Sequence, residues 1–124
     1  MGTLHLFRNA PEVLPVAAGE YIFRKGEAAK VMYLIIEGEV DLTRDETVAE
    51  TAREGSFIGE MALIEDEPRS ASARARSDCL VFPIDEARFQ SLVKETPFFA
   101  LQMMKTLARR LRKMDARVGA AAKV

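Results

Sequence analysis

Very little in this chain can build a zinc site or cross-link the fold. There is one histidine, His5, near the start, and one cysteine, Cys79. A zinc site or a histidine-based catalytic dyad would have to be built around a single terminal residue, which argues against both. One cysteine excludes an internal disulfide framework and fits a reducing, cytoplasmic setting. Tryptophan is absent. The longest apolar run, Val31 to Ile36, is six residues, too short for a membrane span. The first twenty residues have no basic start followed by an apolar stretch, so no secretory signal is expected. Net charge is also missing: 18 bases meet 19 acids, for −1. That balance argues against a whole-surface nucleic-acid binder.

What is present is the composition of a globular domain. The 124 residues are 48% hydrophobic and 30% charged. A chain of this length buries roughly 65% of its unfolded surface, enough for one core. The expected organisation is a single domain, 1–124. The even charge total hides an asymmetry. Residues 37–67 hold eleven acids and two bases, and residues 105–124 hold seven bases and one acid. The basic tail reads as a solvated helix face or as a contact for something acidic.

Short β-prone pieces separated by turn residues fill the first two thirds. They are Val13–Val16, Tyr21–Phe23, Val31–Ile36, Val40–Leu42, Val48–Ala52, Ser70–Arg76 and Leu80–Ile84, with a tight hairpin over Arg44–Thr47. Their even spacing predicts a sandwich or barrel. Residues 3–10 can form one or two helical turns, ended by Pro11. After Ile84 the pattern turns helical. Asp85 can cap a helix reaching Val93, and Thr96-Pro97 opens a second one, ended by Gly119. In it Ala100, Met104, Leu107, Leu111, Met114 and Val118 form a heptad seam. That seam packs either on its own β-roll or against a second chain. Met103, Met104 and Met114 read as core filler, Phe98 and Phe99 as an anchor between the helices, and Cys79 as a small buried residue.

One stretch carries the chemistry: Phe57-Ile58-Gly59-Glu60-Met61-Ala62-Leu63, a spacer, then Pro68-Arg69-Ser70-Ala71. Gly59 permits a tight turn. Glu60 to Ile64 can make one helical turn, whose free amides suit a phosphate. Pro68 fixes the backbone before Arg69, and small residues after it leave space. A carboxylate and a guanidinium then flank a small pocket. An arginine fork matches a phosphate, and a carboxylate suits a sugar hydroxyl. The plain alternative is a structural ion pair between Glu60 and Arg69.

Phe57, Gly59, Glu60, Ala62, Leu63, Arg69, Ser70 and Ala71 resemble the phosphate-binding cassette of the cyclic nucleotide-binding domain family. The preceding Gly19-Glu20, Gly26-Glu27 and Tyr33 to Val40 also follow the family's order. The run Ala108-Arg109-Arg110-Leu111 is similar to the long helix of its catabolite-activator-type bacterial regulators. The resemblance covers about residues 12–118. It implies an α+β fold: an antiparallel jelly-roll-type β-roll (a double-stranded β-helix) over about 12–84, with a short N-terminal helix and two C-terminal helices over about 85–118. It implies a non-enzymatic sensor of cyclic AMP or cyclic GMP, cyclic AMP first, which needs no cofactor and relays binding through its C-terminal helix. Glu60 would accept the ribose 2′-hydroxyl and Arg69 would pair with the phosphodiester. Ser70 and the amides near Met61 and Ala62 would hold the phosphate oxygens, and Gly59, at the turn, is also counted among the binding residues. Leu42, Ile58, Met61 and Ala71 would line the sugar and base. Arg110 and Met114 are the candidate lid. The register puts Met114 and Asp115 where such regulators meet adenine through threonine and serine, so the base must be read differently here.

The implied partners are the cyclic nucleotide, an unidentified downstream protein and, through the last helix, a second copy. No membrane is implied, and no DNA-reading element follows the helix, so this chain alone is expected to bind no specific DNA. Three other readings stand beside this one. An enzyme on the related cupin barrel needs clustered histidines. A degenerate interaction module would not need Glu60 and Arg69. A ligand-domain fragment of a transcription regulator would share every feature seen.

Overall fold

The structure, a computed structural model, describes the backbone of residues 9–122 and the side chains of residues 9–113. Eight strands come first: β1 (Leu14–Val16), β2 (Tyr21–Phe23), β3 (Met32–Glu37), β4 (Val40–Arg44), β5 (Thr47–Ala52), β6 (Phe57–Ile58), β7 (Ser72–Ala75) and β8 (Cys79–Ile84). A 3-10 turn, Glu60–Leu63, lies between β6 and β7, and two helices close the chain, α1 (Glu86–Glu95) and α2 (Pro97–Ala122). The strands form two four-stranded antiparallel sheets, ordered β1-β8-β3-β6 and β2-β7-β4-β5. The expected β-roll with two C-terminal helices is therefore present. The helix expected over 3–10 lies outside the described residues but for its end, where Asn9 is in a turn and Ala10 is irregular.

The six-residue apolar run makes sense in this architecture. β3 is buried on both faces. Met32, Leu34 and Ile36 join Phe57, Phe82 and Ile84 in a cluster that the helices cover with Leu92, Phe99 and Met103. Ile35 faces the other way, into a second cluster between the sheets with Phe23, Val40, Ala52, Ile58, Ala73, Ala75, Cys79 and Val81. A strand covered on both sides cannot alternate with polar residues, so it reads as continuous apolar sequence. The β4–β5 hairpin turns at Asp45 and Glu46, both at positive φ, a geometry that matches strand twist.

Asp85 caps α1 as expected, accepting from the Arg88 amide at 2.7 Å. In α2 the phase of the helix differs from the predicted seam. The residues facing the roll are Phe99, Met103, Thr106 and half-buried Arg110, one position ahead of Ala100, Met104, Leu107 and Leu111. Met104 and Leu111 are each 60% exposed; among the described side chains of that seam Leu107 packs on the core and Ala100 is half-buried. Met104 is not core filler. Phe99 anchors the helix with its ring edge-on to Phe57 at 5.3 Å, while Phe98 is exposed. The helix also does not stop at Gly119. Three alanines, the strongest helix formers, follow that glycine and the backbone stays helical to Ala122. The side chains of Met114, Asp115 and Val118 lie outside the described residues.

Candidate functional site

β6 delivers the chain to Gly59, which sits in the left-handed region at φ 71°. A side chain there would meet the Arg69 guanidinium at 2.6 Å and the Phe23 ring at 3.1 Å. Glycine is thus required twice, by the backbone and by the close approach. The 3-10 turn then begins with Glu60, which is buried. Ala62 donates its amide to the Gly59 carbonyl at 3.1 Å, so that amide is used inside the turn.

Arg69 arrives from the other side. Its amide donates to the Glu27 carbonyl, and its own carbonyl accepts from Gly26, each at 2.8 Å. These bonds tie it to the β2–β3 loop. The side chain is folded inward and is 7% exposed. Nη2 donates to the Val31 carbonyl at 2.8 Å and Nη1 to the Gly59 carbonyl at 3.3 Å. The guanidinium lies 4.1 Å over the Phe23 ring, with Tyr33 6.0 Å away. Nε is buried with no partner among the described residues. Burial lowers the Arg69 pKa from its ordinary value, against Tyr33 and Glu27, and burial raises that of Tyr33. Glu27 acts on this cation only through space: among the described residues no carboxylate forms an ion pair with it, and its direct contacts are carbonyls and ring faces, a costly arrangement that an anion relieves.

Glu60 and Arg69 do not pair. Among the described residues Glu60 takes its ion pair from Arg110 of α2, whose Nη1 lies 2.7 Å from Oε1. The same guanidinium donates from Nε to Glu50 at 3.1 and 3.2 Å, and from Nη2 to the Phe57 carbonyl. Sequence reasoning missed Glu50 altogether. The available signal was strand phase: Glu50 sits two residues before buried Ala52, so it points inward where an apolar residue is expected.

The remaining residues divide. Ile58 is fully buried, and Leu42 packs half-buried on the inter-sheet cluster. Ala62 and Ala71 are half-buried, whereas Met61 and Ser70 are exposed. A groove of about 790 Å³ runs along Leu14, Tyr21, Arg24, Tyr33 and Arg74, and one of about 510 Å³ along Ala62 to Asp66 and Asp85 to Ala87. Neither groove is lined by Glu60 or by Arg69, whose guanidinium packs against Gly59 and Phe23. Among the described residues no group of three or more histidines, cysteines or carboxylates could hold a metal ion, and no helix is long and apolar enough to cross a membrane.

Comparison with known proteins bears on this geometry. The family described as "Cyclic nucleotide-binding domain" matches residues 13–96. The chain is 36% identical over 100 residues to a cyclic nucleotide-gated potassium channel of Rhizobium etli, a match covering 81% of this chain and 27% of the channel. It is 29% identical over 123 residues to the cAMP-activated global transcriptional regulator of Salmonella typhimurium, covering 94% of this chain and 59% of that protein. Each of these relatives is therefore much longer than the part this chain matches. Among solved structures, the catabolite activator protein of Thermus thermophilus superposes with a TM-score of 0.76 at 26% identity, over 97% of this chain and 63% of that one.

Proposed function

The chain belongs to the cyclic nucleotide-binding domain family, and from that premise we propose that it is a non-enzymatic sensor whose ligand is cyclic AMP. The carrying observation is Arg69, a buried guanidinium whose Nε has no acceptor and which has no carboxylate partner among the described residues. The phosphodiester of a cyclic nucleotide supplies one delocalised negative charge and the missing acceptors. Glu60, also buried and adjacent to the Gly59 carbonyl that Arg69 holds, then accepts the ribose 2′-hydroxyl. Ser70, Gly59 and the amide of Met61 complete the phosphate side. The amide of Ala62 contributes only if the turn opens. Leu42, Ile58, Met61 and Ala71 wall the sugar and base.

In this reading α2 is the relay. Arg110 reaches from the helix to Glu60, so whatever binds Glu60 acts on the helix directly, with Met114 one turn further on as the second part of the lid. The exposed stripe Leu101, Met104, Ala108 and Leu111 lies beside the roll-facing residues and supports a homodimer through α2. The downstream partner is a protein, the compartment is the cytoplasm, and residues 1–124 act as one domain without specific DNA binding or a cofactor.

Competition tests the assignment. Labelled cyclic AMP bound to the protein should be displaced by unlabelled cyclic AMP and hardly by 5′-AMP, whose open phosphate carries a second charge and a different shape. Equal displacement by both would contradict a cyclic phosphodiester site.

A further inference from the structure

β5 turns a carboxylate into the roll. Glu50 shares the phase of Ala52, which is 2% exposed in the inter-sheet cluster, and its cross-strand partner Leu42 packs against that cluster. An inward carboxylate is costly unless it is paired. Its partner is Arg110, which gives Nε to both Glu50 oxygens while Nη1 goes to Glu60 and Nη2 to the Phe57 carbonyl. The three side chains are 16%, 16% and 11% exposed for Arg110, Glu50 and Glu60. One guanidinium therefore spans two carboxylates, and only one of the two is assigned to the ligand.

The arrangement decides how helix and ligand interact. Arg110 takes only Oε1 of Glu60; were Glu60 its sole charged anchor, turning that carboxylate toward a sugar hydroxyl would strain the pair and loosen α2. With Glu50 present, Arg110 keeps a charged partner through a different nitrogen when Glu60 turns to a hydroxyl. Arg110 is also the last docked position described on the helix, since Leu111, Arg112 and Lys113 are exposed. We infer that Glu50 is a positioning residue: it holds Arg110, and with it α2, on the β-roll while Glu60 serves the ligand, and so sets the sign of the coupling between ligand and helix. The ligand half of this inference rests on the function proposed above. A ligand shifts a helix only through its differential affinity for the helix positions, and Glu50 is the group that keeps the docked position compatible with an occupied Glu60.

The test is amide hydrogen exchange over residues 106–113 in the full chain, with the β3 amides as the control for global folding. Without ligand, Glu60→Gln should exchange within about threefold of wild type, while Glu50→Gln/Glu60→Gln should exchange at least about tenfold faster. Arg110→Met should reproduce the double variant, which keeps the test valid if the double variant loses its β3 protection. If Glu60→Gln alone frees the helix as fully as the double variant, the inference is overturned. With saturating cyclic AMP, wild type should keep or gain protection and Glu50→Gln should lose it; the same sign in both would also overturn it. A wild type that ignores cyclic AMP but gives the expected ligand-free pattern would sink the ligand reading and leave the Arg110 clasp standing.

Discussion

Glu60 is paired with Arg110, fifty residues away on the last helix, at 2.7 Å, and not with Arg69 nine residues away. The carboxylate of the cassette is already in contact with the element proposed to move. The guanidinium of the cassette is left among carbonyls and aromatic faces.

If Glu60 reads the sugar, the 2′-hydroxyl must matter. A site built to hydrogen-bond a hydroxyl penalises its absence because its own buried group is left unpaired. Wild type should bind 2′-deoxy cyclic AMP at least about tenfold more weakly than cyclic AMP. Glu60→Ala should shrink that ratio toward one. Equal wild-type affinities would remove Glu60 from the site.

Gly59→Ala should fail for two reasons at once. A left-handed backbone costs a residue with Cβ about 1–2 kcal/mol, and the new methyl meets Arg69 Nη1 at 2.6 Å. Calorimetric melting should show a lower Tm, and ligand binding should fall further than the loss of stability explains, because Arg69 is displaced. Unchanged binding by a folded Gly59→Ala protein would show that the position of Arg69 is irrelevant to the ligand.

Phe99 fastens α2 to the roll. It is fully buried between Phe57 and Phe89, and Phe→Ala changes in such places cost about 3–5 kcal/mol. Denaturant titration of Phe99→Ala should show a loss in that range. Exposed Phe98→Ala should cost less than about 1 kcal/mol. Reversed magnitudes would contradict the helix phase described.

Alkaline pH should destabilise the fold. Burial raises the pKa of the Cys79 thiol and of Tyr33 above their ordinary values. The folded state thus holds these protons more tightly than the unfolded chain. The stability this contributes is complete below the unfolded thiol pKa, about 8.5, and is lost as pH rises from there through the raised folded values. Cys79→Ala should flatten the first part of that decline. A wild-type Tm that stays constant from about pH 8 to pH 10.5 would contradict the buried, neutral thiol.

How much of this was legible in the sequence follows from the range of each interaction. Tyr21–Phe23 was read at its observed bounds because turn residues punctuate it on both sides. The Gly59-Glu60 turn and the Asp85 cap depend on neighbours within four residues, and they too were readable. The phase of α2 was not. A search for apolar spacing selects Ala100, Met104, Leu107 and Leu111, whereas the true roll-facing stripe contains Thr106 and Arg110, which such a search rejects. Arg110 faces inward only because Glu50 and Glu60 await it, sixty and fifty residues away. Likewise the inward fold of Arg69 depends on the Val31 carbonyl and the Phe23 ring, partners that no local pattern reveals.

Titration calorimetry of wild type and Arg69→Ala with cyclic AMP asks whether the buried Arg69 guanidinium is the partner of the cyclic phosphodiester. Removing one partner of such a charge pair costs about 2–5 kcal/mol, so wild type should bind saturably with one ligand per chain and Arg69→Ala at least roughly 30-fold more weakly. The variant should stay folded, with a lower Tm from the lost contacts to Val31, Gly59 and Phe23. Wild-type affinity in a folded Arg69→Ala protein, or no saturable binding of cyclic AMP by wild type, would contradict the account.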